Sequence, residues 1–124
     1  MDYSYFDISD FASLYAVMKH AESNDPIWYD VRGVRDVPMG ETLDIMEYVL
    51  MEEKERLQEN EEERNEYKEE INKLLDYIEA REVIEESDGG MNVSKWWWIN
   101  NREPLLRSVE NFYRKHVRKY YFNE

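Results

Sequence analysis

The 124 residues carry 29 Asp and Glu against 16 Lys and Arg, a net charge of -13, with 42% hydrophobic and 15% aromatic residues; this suits one folded domain with a modest core. There is no cysteine, which excludes disulfides, thiolate metal sites and cysteine nucleophiles and fits a reducing compartment, the cytoplasm. No apolar run approaches the roughly 20 residues needed to cross a bilayer, and "MDYSYFDISDF" has neither the basic nor the apolar region of a secretory signal, so no membrane is expected as a partner.

In chain order, Phe11, Leu14, Tyr15 and Met18 fall at i, i+3, i+4 and i+7 behind Ser9 or Asp10 as cap, which predicts an N-terminal helix of about three turns, up to Glu22. "SNDP" stops it. Residues 27–37, "IWYDVRGVRDV", are rich in Val, Ile and aromatics around Arg32 and Gly33 and read as a small β-hairpin or an extended segment. After Pro38 and Gly40 no Gly or Pro interrupts the chain until "SDGG" at 87–90. The spacing predicts one long central helix over about 41–87, with Thr42 as cap.

Taking Leu43 as position a, the a series is Leu43, Leu50, Leu57, Arg64, Ile71 and Ile78, and the d series is Met46, Glu53, Asn60, Tyr67, Leu74 and Arg81. Both ends of this helix therefore want apolar partners while its middle does not. One continuous helix with packed ends is the expected form, and a helical hairpin folding back near Asn60 is the alternative. The fold class expected is mainly α: a single domain of 1–124 in which N- and C-terminal helices pack near the ends of the central helix, divided into 1–40, an acidic 41–88 and an aromatic, basic 89–124.

Charge is divided along the chain. Residues 41–88 hold nineteen acids and six bases, whereas residues 89–124 hold three acids and seven bases. In the same register Glu52, Glu55, Glu59, Glu62, Glu66 and Glu69 occupy six consecutive c and f positions opposite the seam. On one helix they would form a ridge with a carboxylate about every 5 Å, of the same order as the phosphates of a DNA strand at about 3.4 Å of axis each. Such a ridge repels nucleic acid and attracts basic proteins, although Glu-rich outer faces are also common as solvated surface.

"SKWWWINN", residues 94–101, places Trp96, Trp97 and Trp98 on an arc of about 200° if helical. One narrow core face does not hold all three, so one belongs at the surface or at an interface, and Trp97 is the candidate anchor. Beyond it, Leu105, Leu106, Val109, Phe112, Tyr113, Val117 and Tyr120 predict a C-terminal amphipathic helix with Asn101 as cap and Pro104 in its first turn. Its polar side carries Arg107, Arg114, Lys115, Arg118 and Lys119. These bases are expected to neutralise the acidic middle in preference to binding nucleic acid, which the overall charge disfavours.

Catalytic patterns are absent from the sequence. His20 and His116 fall in different predicted helices without a second ligand at metal spacing, and there is no HExxH, ExxH pair, EF-hand loop, P-loop or GxGxxG. No enzyme activity, metal or cofactor is expected.

A short, Cys-free, strongly acidic, mainly helical and aromatic-rich chain with such a Glu row resembles the small phage-encoded inhibitors of bacterial defence nucleases, the anti-restriction DNA mimics and several anti-CRISPR proteins. The likeness lies in composition and layout rather than in a motif, and the basic tail departs from the strongest mimics. The resemblance implies a non-enzymatic inhibitor in the host bacterial cytoplasm. It would occupy the nucleic-acid channel of a basic enzyme through Glu52, Glu55, Glu59, Glu62, Glu66 and Glu69, with Trp97 as anchor. The alternative is a homo-oligomeric coiled-coil scaffold or adaptor, a homodimer through Leu50, Ile71, Leu74 and Ile78 that docks a partner with its basic C-terminal helix.

Overall fold

In the structure, a computed structural model that describes residues 3–21, 24–29, 36–59, 65–85 and 91–118, Asp10 is the N-cap position of the first α-helix, as expected, but the side-chain capping bonds form one turn earlier, at Asp7. Its carboxylate accepts from Ser9 N at 2.8 Å while the Asp10 carboxylate accepts from Asp7 N at 2.9 Å. This reciprocal capping box closes a 3₁₀ turn, Ile8–Asp10, that runs straight into α1, Phe11–His20. The predicted face is the buried one: Phe11, Leu14 and Met18 enter the core. At the far end Arg102 donates to Ala21 O at 3.1 Å, supplying a cation to the carbonyl end of the helix dipole.

The expected small hairpin forms from β1, Ile27–Tyr29, and β2, Asp36–Pro38, antiparallel with Trp28 opposite Val37. β2 passes directly into α2, Met39–Glu59, whose first amides have no partner within the helix. They find partners elsewhere: Met39 N donates to Pro26 O at 2.7 Å and Gly40 N to the Asn92 side-chain oxygen, also at 2.7 Å. Only glycine fits at 40, because a Cβ there would lie 2.7 Å from Asn92 Cα.

The chain is mainly α, but the single helix over 41–87 is replaced by two. α2 ends at Glu59, and α3, Asn65–Glu79, packs back against it. The physical reason is legible in "QENEEERNE", residues 58–66, where nine consecutive positions hold no apolar side chain and Glu repeats at i, i+4, which is mildly unfavourable in a helix. A straight rod would leave two apolar stripes at opposite ends. Folding back joins them: Leu43, Leu50, Leu57, Ile71 and Ile78 are all fully buried, with Met46, Tyr67 and Leu74 beside them.

The helix also stops short of 87. Arg81 turns its guanidinium on to Ile78 O at 2.9 Å, closing the end of α3, and the chain becomes β3, Val83–Glu85, paired antiparallel with β4, Met91–Val93. This second hairpin takes the place of the expected helical end. α4, Lys95–Phe112, then begins earlier than the expected Asn101 cap. Ser94 is its N-cap, its hydroxyl accepting from Trp97 N at 3.0 Å, and Pro104 lies inside the helix rather than in its first turn. Pro104 brings no N–H for the preceding turn, while Asn100 and Asn101 donate their side-chain amides to Trp96 O and Trp97 O, both at 2.8 Å. A π turn, Tyr113–Val117, extends α4.

α1 packs on α2 and α4, and α3 packs on the same two helices, so the four helices enclose one core. Phe112 sits where they converge. Its ring is 5.0 Å from Phe11 of α1 and stacks 5.5 Å from Tyr67 of α3, at the separations that favour aromatic pairs.

Candidate binding surface

Folding back changes what the glutamate row is. Glu52, Glu55 and Glu59 remain one exposed row along α2, Glu66 and Glu69 are exposed on α3, and Glu62 lies outside the described residues. The straight ridge of six is therefore two short rows on antiparallel helices that meet at the closed end of the α2–α3 hairpin. The described exposed acids of this stretch, Glu52, Glu55, Glu59, Glu66 and Glu69, are thereby gathered on two adjacent helices, where a rod would have spread them along its length. Glu52, Glu55, Glu59 and Glu69 make no ion pair among the described residues. Met51, 53% exposed, adds an apolar contact one turn before Glu55.

Two acids of this region have structural work. Glu53, a polar d position, is buried in the seam. One carboxylate oxygen accepts the Tyr67 hydroxyl at 2.5 Å and the other the Arg56 Nε at 2.5 Å. Glu53, a polar residue in the seam, is thus satisfied by Tyr67 from across the hairpin and by Arg56 from its own helix, as a buried charge requires. Arg81 does the same at the open end, with Nη2 on Asp44 at 2.7 Å and Nη1 on Glu47 at 3.3 Å.

Glu70 is the second. Lys115 is 3.1 Å from both Glu66 and Glu70, and His116 Nε2 bonds the other oxygen of Glu70. Two successive residues reach one carboxylate because a π turn has more residues per turn and so separates neighbours by a smaller angle. Burial pushes the Glu70 carboxyl up, but hydrogen bonds and charge from Lys115 and His116 outweigh it and hold the group below its ordinary value. The hydrogen bonds to Glu70 and Glu66 raise the Lys115 ammonium in turn. Arg114 pairs with Glu110 at 2.7 Å. The basic tail is therefore at least partly neutralised within the chain.

Trp97, the candidate anchor, is half-buried and packs against the core, Trp98 is fully buried, and Trp96 is 74% exposed. The outward tryptophan is Trp96, with Ile99 one turn on at 43% exposed; the early start of α4 at Ser94 sets that phase. Leu50, Ile71, Leu74 and Ile78, the residues on which the scaffold alternative relied, are buried inside one chain and present no seam to a second copy.

A cavity of about 310 Å³ lies between the N-terminal segment and α2, with Phe6, Asp7, Tyr48, Glu52 and Arg56 among its walls. Among the described residues no group of three or more His, Cys, Asp or Glu is placed to hold a metal ion, and no helix is long and apolar enough to cross a membrane. In comparisons with known proteins the chain matches no family model, no curated protein and no solved structure.

Proposed function

We propose that this chain is a non-enzymatic inhibitor of a basic nucleic-acid-binding enzyme, a defence nuclease such as a CRISPR effector or a restriction enzyme, and that it acts in the bacterial cytoplasm. The observation that carries the reading is the row Glu52, Glu55 and Glu59, exposed and without ion pairs among the described residues, while two nearby bases are engaged by other acids. Arg56 faces buried Glu53, Lys115 faces Glu66 and Glu70, and Lys54 and Lys68 are half-buried. What remains for a partner is a carboxylate surface carried on α2 and α3. Unpaired surface carboxylates steer a basic partner and, on contact, occupy positions where it would otherwise hold phosphate. Met51 supplies an apolar contact beside the row, and Glu69 extends the unpaired charge on to α3, next to Glu66, which Lys115 shares.

The test has two parts. The immobilised chain is exposed to a bacterial lysate, and duplex DNA is expected to release a nucleic-acid enzyme identified by mass spectrometry. The triple variant Glu52→Lys, Glu55→Lys, Glu59→Lys, at exposed positions, should then bind that enzyme at least ~10-fold more weakly, with a reduced dependence on salt. Capture that DNA does not compete, or unchanged affinity of the triple variant, would end the proposal.

A further inference from the structure

Among the described residues, β3 pairs with β4 and with no strand on its other side. Val83 and Ile84 are 46% and 40% exposed, and β4 is the element that β3 contacts most. In an antiparallel ladder, residues alternate between turning their N–H and C=O toward the partner strand and turning them away. Ser94 N donates to Glu82 O at 2.8 Å, so Glu82 and Ser94 form a hydrogen-bonded pair. With Val83 opposite Val93, Ile84 opposite Asn92 and Glu85 opposite Met91, Ile84 also faces β4. Val83 and Glu85 therefore turn their backbone groups to the outer edge. Two donors and two acceptors on extended backbone, beside two exposed β-branched side chains, are a template for another strand.

Natural edges of this kind are commonly blunted by Lys or Pro. This one is flanked by acids: Glu79, Glu82 and Glu85 are exposed, while the nearby base, Arg81, is turned on to Asp44 and Glu47. The edge reads Glu82-Val83-Ile84-Glu85. A second copy would bring the same acids, with only Arg81, already turned on to Asp44 and Glu47, to meet them. The complementary strand is basic, apolar, apolar, basic.

We infer that β3 is a strand-addition site for an extended segment of a basic partner protein, two apolar residues between two Lys or Arg, bonded to the backbone of Val83 and Glu85 with its cations opposite Glu82 and Glu85. The partner's basic character rests on the function proposed above; the free edge and its flanking acids stand without it. The experiment uses the full ¹⁵N-labelled chain and a synthetic peptide, acetyl-Thr-Thr-Lys-Val-Val-Lys-Thr-Thr-amide, with a twin in which both Lys are Glu. At saturating Lys peptide, amide exchange at Val83 and Glu85 is expected to slow at least ~10-fold, with Ile84 little changed, and the Glu twin is expected not to bind.

Val83→Pro removes the outward N–H at a place where an edge strand tolerates proline, and should weaken the Lys peptide about 10-fold. Glu82→Lys with Glu85→Lys, at exposed positions that leave the fold alone, should weaken it at least as much and serves if Val83→Pro does not fold. The inference is overturned if saturating Lys peptide leaves Val83 and Glu85 unprotected, if the Glu twin binds equally, or if both amides are already protected without peptide in a self-associated chain. The triple variant at Glu52, Glu55 and Glu59 should leave peptide binding intact, so the two proposals fail separately.

Discussion

The hydroxyl of Tyr67 and the carboxylate of Glu53 are the sharpest test of the fold-back. On one continuous helix, 14 residues would hold them about 21 Å apart; in the structure they are bonded at 2.5 Å with both side chains buried. Tyr67→Phe keeps the ring stacked on Phe112 and removes one hydrogen bond to a buried charge, a loss of about 2 kcal/mol. Glu53→Met fills the same space, removes the carboxylate that the Tyr67 hydroxyl and Arg56 both bond, and should cost about 1–2 kcal/mol. The double variant removes both ends of the Tyr67–Glu53 bond and should cost little more than either single one, a coupling of about 1.5 kcal/mol. Thermal unfolding reads this directly. With an unfolding entropy of about 2.1 cal/mol/K per residue over 124 residues, 2 kcal/mol corresponds to about 8 °C in Tm. If the two single shifts simply add in the double variant, the groups do not meet and the hairpin is refuted.

Three further outcomes are expected. Gly40→Ala places a Cβ 2.7 Å from Asn92 Cα; a backbone atom cannot swing aside, so urea denaturation should show a loss of about 2–3 kcal/mol. Glu70 has its folded pKa lowered from 4.5, so its pairing with Lys115 and His116 stabilises the chain above that value and is lost as pH falls through the lower folded one. Melting followed from pH 6 to pH 3 should show a decline that Glu70→Gln flattens, and an unchanged decline would place the acid sensitivity elsewhere. Trp98→Ala should cost about 3–5 kcal/mol and Trp96→Ala less than about 0.5 kcal/mol in the same assay, reversing the assignment if Trp96 proves the costly one.

The α1 face, the first hairpin and the heptad seam could be read from the sequence because apolar spacing alone decides them: Phe11, Leu14 and Met18, then Leu43 to Ile78, are buried as their period demands. The fold-back was harder to see because its cause is not a breaker residue. Asn60 and the glutamates around it permit a helix, and what ends it is the gain from joining two apolar stripes, a term that exists only in three dimensions. β3 and β4 are three residues each, too short for an alternating pattern to declare itself inside an otherwise helical run. Pro104 drew the start of α4 too late, since proline favours the first turn of a helix, whereas Ser94, seven residues before the expected cap, holds that place. The same shift carried Trp97 inward and Trp96 outward. Of the candidate surface, the row Glu52, Glu55 and Glu59 was legible, and its exclusion of Glu53 was also in the register; that Glu53 would find Tyr67 was not, because the pairing needs the turn.

Division of labour among the acids of α2 and α3 follows from the turn as well. Where a glutamate lands toward the seam or toward α4, as Glu53 and Glu70 do, it is bound by Tyr67 and Arg56 or by Lys115 and His116. The neighbours one or two positions away, Glu52, Glu55 and Glu69, are left exposed. A rod would have spread the same charges over a length of about 70 Å for residues 41–87, well beyond a Debye length of about 8 Å. Folding halves that length and brings the two rows on to adjacent helices, whose axes pack about 8–10 Å apart, within reach of each other's field. Like charges held that close raise the folding cost of the hairpin end and are relieved when a cationic surface covers them. Buried Leu50, Leu57 and Ile71 hold the hairpin closed against that repulsion, so the apolar seam and the acidic pole depend on each other. The prediction carried by that dependence is that the triple variant Glu52→Lys, Glu55→Lys, Glu59→Lys melts no lower than the natural chain while losing its partner, and a variant that melts markedly lower would show those carboxylates to be structural.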